Sequence, residues 1–368
     1  MKVLLFSTQW PEYMVELANA LAKKTKVVLM VPENHRFQEE HRSLLSAEVK
    51  LVTFRLVLFK SIRQNFRMLS SIVRTLWSER PDILHVQANG HRLFYWVAFA
   101  KPFKTKIVNT IHDPEKHAGD KLSLAIDDSS VVRLMRLFTK KYIVHGPNLV
   151  SELAHSYRID EKRIVSIPHG HFEIYKRLQK GQPVQPDGFV LFFGRIWKYK
   201  GLEYFIRAAN IVHKSMPDVQ FCIAGKGESL GQYLKEIDHP GRFLIINERI
   251  PIERVGAIFE SAAVVVLPYI EATQSGVIPL AYAYRKPVIA SRVGAISDVV
   301  VDSETGFLVE PESPGQIADK IVYLLQSPAE RKRMGDSAYS YAMNELSWDR
   351  IADKTLEVYN EVTGNRNG

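Results

Sequence analysis

The sequence is poor in cysteine and in long apolar runs. It has 368 residues and one cysteine, Cys222, so it cannot form a disulfide bond within the chain, and a reducing cytoplasm is the expected compartment. No uncharged apolar run of about 18 residues occurs, which argues against a membrane-spanning helix. The amino-terminal run MKVLLF is also short, and Pro11 and Glu12 follow it closely. It is therefore predicted to be a strand rather than a signal sequence.

Three ligand-binding motifs are missing as well. The first predicted strand, turn and helix, residues 3–22, lack the G-x-G-x-x-G fingerprint, so a bound dinucleotide is not supported. There is no Asp-rich motif, and we expect no metal cofactor. Nucleic-acid binding likewise has no motif in its favour.

Charge is distributed unevenly. The net charge is +9, but residues 1–180 carry 29 basic and 17 acidic side chains, or +12, whereas residues 181–368 carry 20 and 23, or −3. Residues 54–78 combine apolar and basic side chains without Asp or Glu, and a basic, aromatic stretch follows at 92–106. The simpler interpretation is a helix with a solvated basic face. The alternative is a segment that lies on anionic lipid headgroups.

Strand and helix patterns alternate along both halves, which predicts an α/β protein with two Rossmann-like domains and a ligand site in the cleft between them. Residues 176–187 are polar, contain two Pro and one Gly, and are followed directly by a second Gly, as is typical of a linker. The predicted domains are residues 1–175 and 188–345. Residues 346–368 are predicted to form a helix that crosses back to the first domain.

The most informative stretch is residues 262–290. An apolar strand, 262–267, leads into a polar turn, and an apolar helix from about 277 to 284 follows. The start of a helix offers backbone N–H groups and a positive dipole end to an anion. Glu271 would repel phosphate and is better suited to a hydroxyl group. Phosphate and hydroxyls side by side indicate a sugar nucleotide.

Two glycine-rich turns in the second half support that interpretation. Residues 194–201 contain one Arg and two Lys between two glycines, a cationic loop suited to phosphate. The sequence Gly225-Lys-Gly227 follows another predicted strand, where backbone approaches a ligand closely.

In the first half, polar residues follow several predicted strands. His112 ends a strand and is followed by Asp113 and Pro, a position where catalytic side chains cluster in such sheets. A lone histidine is more often structural, and His145 and His169 keep mainly that interpretation. The candidate acceptor residues are Thr8, Gln9, Asp113, His117 and His145.

Five segments of the second half, in this order, resemble the family 4 glycosyltransferases of GT-B fold, which are retaining enzymes that use nucleotide sugars. They are residues 193–201 (FGRIWKYKG), 223–228 (IAGKGE), the Glu271 turn, 286–298 (KPVIA and VGAISD) and 304–311 (ETGFLVEP). The first half matches more loosely, through residues 110–114 (TIHDP) and 167–170 (IPHG).

The resemblance implies a role for each matching residue. Arg195 and Lys200 would hold the donor diphosphate, Glu271 would contact donor-sugar hydroxyls, and His112 would approach the transferred sugar. The remaining implied donor-site residues are Gly194, Ala272, Thr273, Gln274, Ser275 and Gly276. Those implied for the nucleotide base and ribose are Gly225, Gly227, Arg249, Ile250 and Pro279.

One position departs from the family pattern. Eight residues after Glu271 the family has a second Glu that holds the ribose, and here the residue is Pro279. The expected function is hexosyl transfer from a UDP- or GDP-sugar to a lipid-linked or glycan acceptor in cell-surface glycan synthesis, on the cytoplasmic face of the membrane. The alternatives are a catalytically weak subunit that binds a nucleotide sugar or supports a partner transferase, and a sugar-nucleotide epimerase.

Overall fold

The computed structural model describes residues 1–33, 37–57, 62–87, 93–114, 129–181 and 188–364. The chain divides into two compact units. The first contains the described residues up to 168 together with those from 348 onward, and the second contains the described residues from 169 to 347. No helix among the described residues is long and apolar enough to cross a membrane.

The first unit is built on a parallel sheet of seven strands in the order β3-β2-β1-β4-β5-β6-β7. Most positions of the central strands β1, β2 and β4 are buried, because a parallel sheet is covered by helices on both faces. The strands are β1 (Lys2–Ser7), β2 (Lys26–Pro32), β3 (Val49–Phe54), β4 (Ile83–Gln87), β5 (Lys106–Thr110), β6 (Thr139–Val144) and β7 (Ile164–Ser166).

Helices connect these strands in the Rossmann manner. Pro11 opens the first of them at a position where its missing N–H costs nothing. The helices before the crossing into the second unit are α1 (Pro11–Ala22), α2 (Glu39–Ser43), α3 (Ile62–Glu79), α4 (Leu93–Ala100), α5 (Ser129–Phe138) and α6 (Asn148–Tyr157). The basic stretch therefore contains α3, while residues 58–61 of it lie outside the described residues.

The last helix of the chain belongs to the first unit, as predicted. Helix α14 (Trp348–Thr363) packs against α1, with the Trp348 ring edge-on to Tyr13 at 4.9 Å. Tyr359 reaches the sheet, where its hydroxyl lies 2.5 Å from Nδ1 of His85. Trp348 and Tyr359 are both buried, and α14 covers part of this sheet at β5 and β6.

The second unit has a parallel sheet of six strands in the order β10-β9-β8-β11-β12-β13. Alternate residues of one central strand enter different cores: Val190 and Phe192 pack on one face, Phe189 and Leu191 on the other. The strands are β8 (Phe189–Phe193), β9 (Phe221–Ala224), β10 (Phe243–Ile246), β11 (Ala262–Leu267), β12 (Val288–Ser291) and β13 (Gly306–Val309).

The helices of this unit begin before its first strand. Helix α7 (Ile174–Leu178) packs against α10 and overlaps the start of the segment predicted as a linker. Residues 182–187 of that segment lie outside the described residues. The other helices are α8 (Leu202–Ser215), α9 (Gly231–Leu234), α10 (Ile252–Ser261), α11 (Val277–Ala283), α12 (Pro314–Gln326) and α13 (Pro328–Glu345).

Candidate active site

Four neighbouring strands of the second unit, β9, β8, β11 and β12, end at one edge of their sheet. The predicted donor segments follow these strand ends directly. Because the carboxyl ends of parallel strands meet at one edge, the loops that begin at residues 194, 225, 268 and 292 are brought together. The sequence analysis paired the cationic loop 194–201 with the turn at 273–276, and these two segments follow the neighbouring strands β8 and β11.

Glycines allow these loops to approach one another closely. A Cβ atom on Gly225 would lie 1.7 Å from the carbonyl oxygen of Gly194, and Gly225 has a φ of +153°. A Cβ atom on Gly294 would lie 1.7 Å from the carbonyl oxygen of Ala272. The next residue, Ala295, donates its N–H to the carbonyl of Thr273 at 3.1 Å. Two pairs of loops thus pack at backbone contact distance, with no room for side chains between them.

The two predicted cations lie in the loop between β8 and α8. The ammonium group of Lys200 lies 3.6 Å from the centre of the Tyr269 ring, a cation–π contact. The Tyr269 hydroxyl lies 3.2 Å from Oγ of Ser275. Arg195 is exposed and donates from Nη2 to the hydroxyl of Tyr199 at 3.1 Å. One buried tyrosine, Tyr269, therefore connects the cationic loop to the turn before α11.

The turn before α11 contains the other predicted donor residues. Thr273 and Ser275 are buried, whereas Glu271, Ala272, Gln274 and Gly276 are half-buried. The side-chain Oε1 of Gln274 is buried and has no hydrogen-bond partner in the described part of the chain. A buried amide oxygen without a partner is costly, and it marks a place where a ligand hydroxyl can donate.

Pro279 is the third residue of α11 and is buried. This first turn tolerates proline because its N–H groups lack partners within the helix. Pro279 offers no side-chain hydrogen-bonding group, so it cannot hold ribose as a carboxylate would.

The predicted nucleotide residues follow two adjacent strands, β9 and β10. A Cβ atom on Gly227 would lie 2.0 Å from the carbonyl oxygen of Ile196. Arg249 is exposed, and Ile250 packs partly buried against the core. These residues lie at the same edge of the sheet as Arg195 and Lys200, the residues predicted to bind the diphosphate. They follow β9 and β10, the strands at one end of the sheet order.

In the first unit, His112 lies at the carboxyl edge of its sheet, just after β5. It is buried, and its two ring nitrogens lie 3.2 Å from Oε1 of Gln87 and 3.1 Å from Nε2 of His145. The Nδ1 atom of His145 in turn lies 3.0 Å from the carbonyl oxygen of Ile167. Burial lowers the pKa of His145 to about 4, against the opposing effects of its bond to Ile167 and of Asp113.

The other first-unit candidates follow strand ends at the same edge of the sheet, except one that falls outside the described residues. Thr8 is buried, and Gln9 and Asp113 are half-buried. The Oε1 atom of Gln9 is a second buried amide oxygen that has no partner among the residues described. His117 lies outside the described residues.

Two aromatic residues at these sheet edges, Trp10 and Tyr269, were not identified from the sequence. Trp10 lies over His112, with ring centres 3.8 Å apart, and its φ of +50° is unusual for a residue other than glycine. Tyr269 supports Lys200, as described above. Both residues follow a strand end within three positions and neighbour a proline. An aromatic residue at such a position is the signal that could have identified them.

No group of three or more His, Cys, Asp or Glu side chains in the described part of the chain is placed to hold a metal ion. The sheet edge of the second unit offers cations, closely approaching backbone and uncharged hydrogen-bonding groups. This set of groups can hold a phosphorylated, hydroxyl-rich molecule by charge and hydrogen bonds.

Comparisons with known proteins match this geometry. Residues 12–171 match the family model described as Glycosyltransferase Family 4, and residues 188–327 match the model described as Glycosyl transferases group 1. The D-inositol 3-phosphate glycosyltransferase of Paenarthrobacter aurescens is 31% identical over 322 residues, which are 80% of this chain and 78% of that protein. The chain belongs to glycosyltransferase family 4. The α-D-kanosaminyltransferase of Streptomyces kanamyceticus is 30% identical over 47% of this chain and 45% of its own length.

Solved structures show the same fold. Anabaena HepE, in complex with UDP and glucose, superposes with a TM-score of 0.73 at 18% identity, covering 98% of this chain and all of that one. Sucrose-phosphate synthase from Thermosynechococcus elongatus superposes with a TM-score of 0.71 at 18% identity over the full length of both chains. Two α/β units with parallel sheets are the GT-B architecture predicted from the sequence. This family 4 member is thus a glycosyltransferase of GT-B type.

Proposed function

We propose that this family 4 protein is a retaining glycosyltransferase that moves a hexose from a nucleoside diphosphate sugar to a hydroxyl acceptor. The observation that carries the proposal is the convergence of Lys200, Tyr269 and Ser275 with the loop pair Ala272–Gly294 at one sheet edge. This edge combines positive charge with backbone that a ligand can approach closely, as a diphosphate requires.

Arg195 and Lys200 are assigned to the diphosphate. When the bond from the sugar to the diphosphate breaks, negative charge grows on the leaving oxygen. Fixed cations at that position stabilise the transition state more than the ground state, which is what accelerates a reaction. The ring of Tyr269 under Lys200 limits where the ammonium group can move.

Glu271 and Gln274 are assigned to the sugar. The unpartnered Oε1 of Gln274 is an acceptor for a sugar hydroxyl, and the carboxylate of Glu271 is a second acceptor in the same turn. On the first unit, the assignment of His112 to the transferred sugar rests on the sequence resemblance.

The reaction that we propose exchanges one bond at the anomeric carbon. The bond to the diphosphate oxygen breaks, and a bond to the acceptor oxygen forms on the same face of the sugar. The acceptor proton passes to the leaving diphosphate, so a nucleoside diphosphate is released. No separate nucleophile is required, and this agrees with its absence among the predicted site residues.

Both UDP- and GDP-sugars remain candidate donors. With Pro279 at the position of the usual ribose-binding acid, the ribose would be held by other groups at the β9 and β10 strand ends. The relative from Paenarthrobacter aurescens is named for transfer to D-inositol 3-phosphate, a phosphorylated polyol. Phosphorylated polyols are therefore worth including beside glycan and lipid-linked acceptors.

The direct test uses purified protein and radiolabelled UDP- and GDP-sugars, with and without acceptors. Acceptor-dependent transfer that keeps the anomeric configuration, read by proton NMR of the product, is the expected result. Inversion would refute the retaining assignment. Binding without turnover would favour the catalytically weak subunit, and an altered sugar nucleotide formed without acceptor would favour the epimerase.

We further propose that the first unit contacts an anionic membrane, which would bring it to lipid-linked acceptors. The outer face of α3 carries exposed Phe66 and Trp77, 72% and 52% exposed, among Arg63, Arg67 and Arg74. Helix α4 packs against α3; Phe99 within α4 and Phe103 just after it are 65% and 94% exposed. Aromatic anchors among basic side chains fit anionic headgroups.

Flotation with phosphatidylglycerol vesicles tests this surface. We expect the protein to float at low salt and to dissociate at high salt, because surface charges are screened. The double substitution Phe66→Ser, Trp77→Ser should abolish flotation, whereas Tyr323→Ser, which removes an aromatic that is 46% exposed on the second unit, should not. Equal flotation of both variants would contradict the proposal.

A further inference from the structure

Four adjacent strand ends of the first unit contribute to one chain of hydrogen bonds. It runs from Oε1 of Gln87 to Nε2 of His112 (3.2 Å), from Nδ1 of His112 to Nε2 of His145 (3.1 Å), and from Nδ1 of His145 to the carbonyl of Ile167 (3.0 Å). These residues follow or end β4, β5, β6 and β7, which are neighbours in the sheet. All three distances are within the range of hydrogen bonds.

The direction of each bond follows from chemistry. The carbonyl oxygen of Ile167 can only accept, so Nδ1 of His145 carries a hydrogen. His145 is buried and stays neutral near pH 7, because burial lowers its pKa to about 4. Its Nε2 therefore has a lone pair, and Nδ1 of His112 must be the donor to it.

This leaves Nε2 as the only nitrogen of His112 whose protonation can change. The side-chain amide of Gln87 presents Oε1 to Nε2, where it can accept from a protonated Nε2. With the amide turned over by 180°, its NH₂ group would face Nε2 and donate to the bare nitrogen. The ring is also held by two aromatic neighbours, since Trp10 lies tilted over it with ring centres 3.8 Å apart and Tyr13 lies edge-on at 5.4 Å.

We propose that His145 is a positioning residue: its Nε2 accepts from Nδ1 of His112 and thereby fixes His112 in the Nδ1–H tautomer, with Nε2 as the atom that binds or exchanges a proton. The tautomer assignment stands on the geometry of the first unit. Its value for catalysis rests on the proposed function, in which His112 serves the transferred sugar. A defined tautomer is required because each ring nitrogen has a different chemical role.

Nitrogen NMR of protein labelled with ¹⁵N-histidine tests the tautomer without any activity assay. In the wild-type protein we expect Nδ1 of His112 to carry the proton, with a scalar coupling across the hydrogen bond to Nε2 of His145. The His112 signals are identified by their loss in His112→Gln. A proton on Nε2 with a bare Nδ1, or no coupling between the two rings, would overturn the proposal.

Two substitutions of similar size separate positioning from structural support. In His145→Gln the amide oxygen can take the place of Nε2, so His112 should keep the Nδ1–H tautomer. In His145→Asn the shorter side chain places its amide only where Nδ1 of His145 was. The hydrogen bond to the carbonyl of Ile167 is therefore kept, and the atom that accepts from Nδ1 of His112 is lost. The Asn variant should lose the Nδ1–H signature, and an unchanged signature in a folded Asn variant would contradict our assignment.

Kinetics then connect the tautomer to transfer. We expect kcat of His145→Asn to fall about 10- to 100-fold with little change in donor KM, and His145→Gln to recover most of it. Equal losses of kcat in both variants would show that His145 only supports the fold. If the wild-type protein transfers no sugar, the proposed function fails, and the NMR result still decides the tautomer.

Discussion

The ammonium group of Lys200 lies 3.6 Å from the centre of the Tyr269 ring, and the hydroxyl of the same ring lies 3.2 Å from Oγ of Ser275. One side chain thus supports the cation of one loop and hydrogen-bonds to the turn of another. The ammonium group of Lys200 and the turn that contains Ser275 are thus positioned by the same residue. A substitution in either should therefore affect both donor binding and transfer.

Replacing Lys200 with Ala should lower kcat at least about 100-fold, because the leaving diphosphate loses a fixed positive charge. The matched control is Lys198→Ala, which removes an exposed lysine from the same turn of 3-10 helix. Steady-state transfer assays of both variants, with circular dichroism to confirm folding, provide the measurement. Similar kcat values for the two variants would refute the assignment of Lys200.

Replacing Gly294 with Ala should destabilise the second unit by about 2–4 kcal/mol, because the new Cβ would overlap a backbone oxygen at a left-handed φ. The overlap is with the carbonyl of Ala272, 1.7 Å away, and the φ of Gly294 is +50°. Donor affinity should fall as well, since the turn must move. Urea unfolding and isothermal titration with the donor measure these two effects.

Gly315→Ala provides the control for Gly294→Ala. Gly315 lies in the first turn of α12, and a Cβ there would have no atom within 4 Å. Alanine should therefore stabilise the protein by about 0.4–1 kcal/mol. If both variants lost stability equally, steric overlap at Gly294 would not be the cause.

The first unit should lose stability in mild acid because of two buried histidines. Burial lowers the pKa of His85 to about 3 and that of His145 to about 4, from an ordinary value of 6.5. Above pH 6.5 both are neutral whether the chain is folded or unfolded, so they favour neither state. As the pH falls from about 6 towards 4, only the unfolded chain takes up these protons, and each histidine should contribute about 1.4 kcal/mol per pH unit of lost stability.

His85→Gln tests this account. The variant should lower the slope of unfolding free energy against pH by about 1.4 kcal/mol per unit, whatever its stability at pH 7. The slope is obtained from urea unfolding at several pH values between 7 and 4.5. A slope equal to that of the wild-type protein would show that His85 does not control the acid sensitivity.

Replacing Trp348 with Ala should destabilise the first unit by about 3–5 kcal/mol, the cost of deleting a large buried side chain. Trp348 is 6% exposed and lies edge-on to Tyr13. Trp77→Ala is the comparison, because Trp77 is 52% exposed and its loss should change stability by no more than about 0.5 kcal/mol. Thermal unfolding that shifts equally in both variants would contradict this role for Trp348.

The elements predicted best are those in which one local signal dominates. Strand β11 was predicted with its observed limits, Ala262–Leu267, because a continuous apolar run lies between a helix and Pro268. Strand β3 (Val49–Phe54) was not predicted, since its VKLVTF pattern leads without a break into the basic stretch. Strand order could not be predicted, because it depends on contacts between residues far apart in sequence.

In the candidate site, too, some features could be identified from the sequence and others could not. Loops that carry glycine and charge, such as residues 194–201, were identified from the sequence. The contact of Lys200 with Tyr269 and the bond from His112 to His145 were not, because each joins loops that follow different strands. Which side chains meet at a sheet edge depends on strand order and register, and a single sequence does not display these.

Among the described residues, the chain passes between its two units after residue 168 and again after residue 347, so the first unit is made of segments distant in sequence. During synthesis, its sheet would emerge from the ribosome long before α14, the helix that covers His85 and packs on α1. Until residues 348–363 are made, the part of the sheet that α14 covers would stay exposed, and the partly folded unit would be prone to aggregation. A frameshift or nonsense mutation that removes residues 348–363 should therefore disable the amino-terminal unit, although the codons of its sheet are intact.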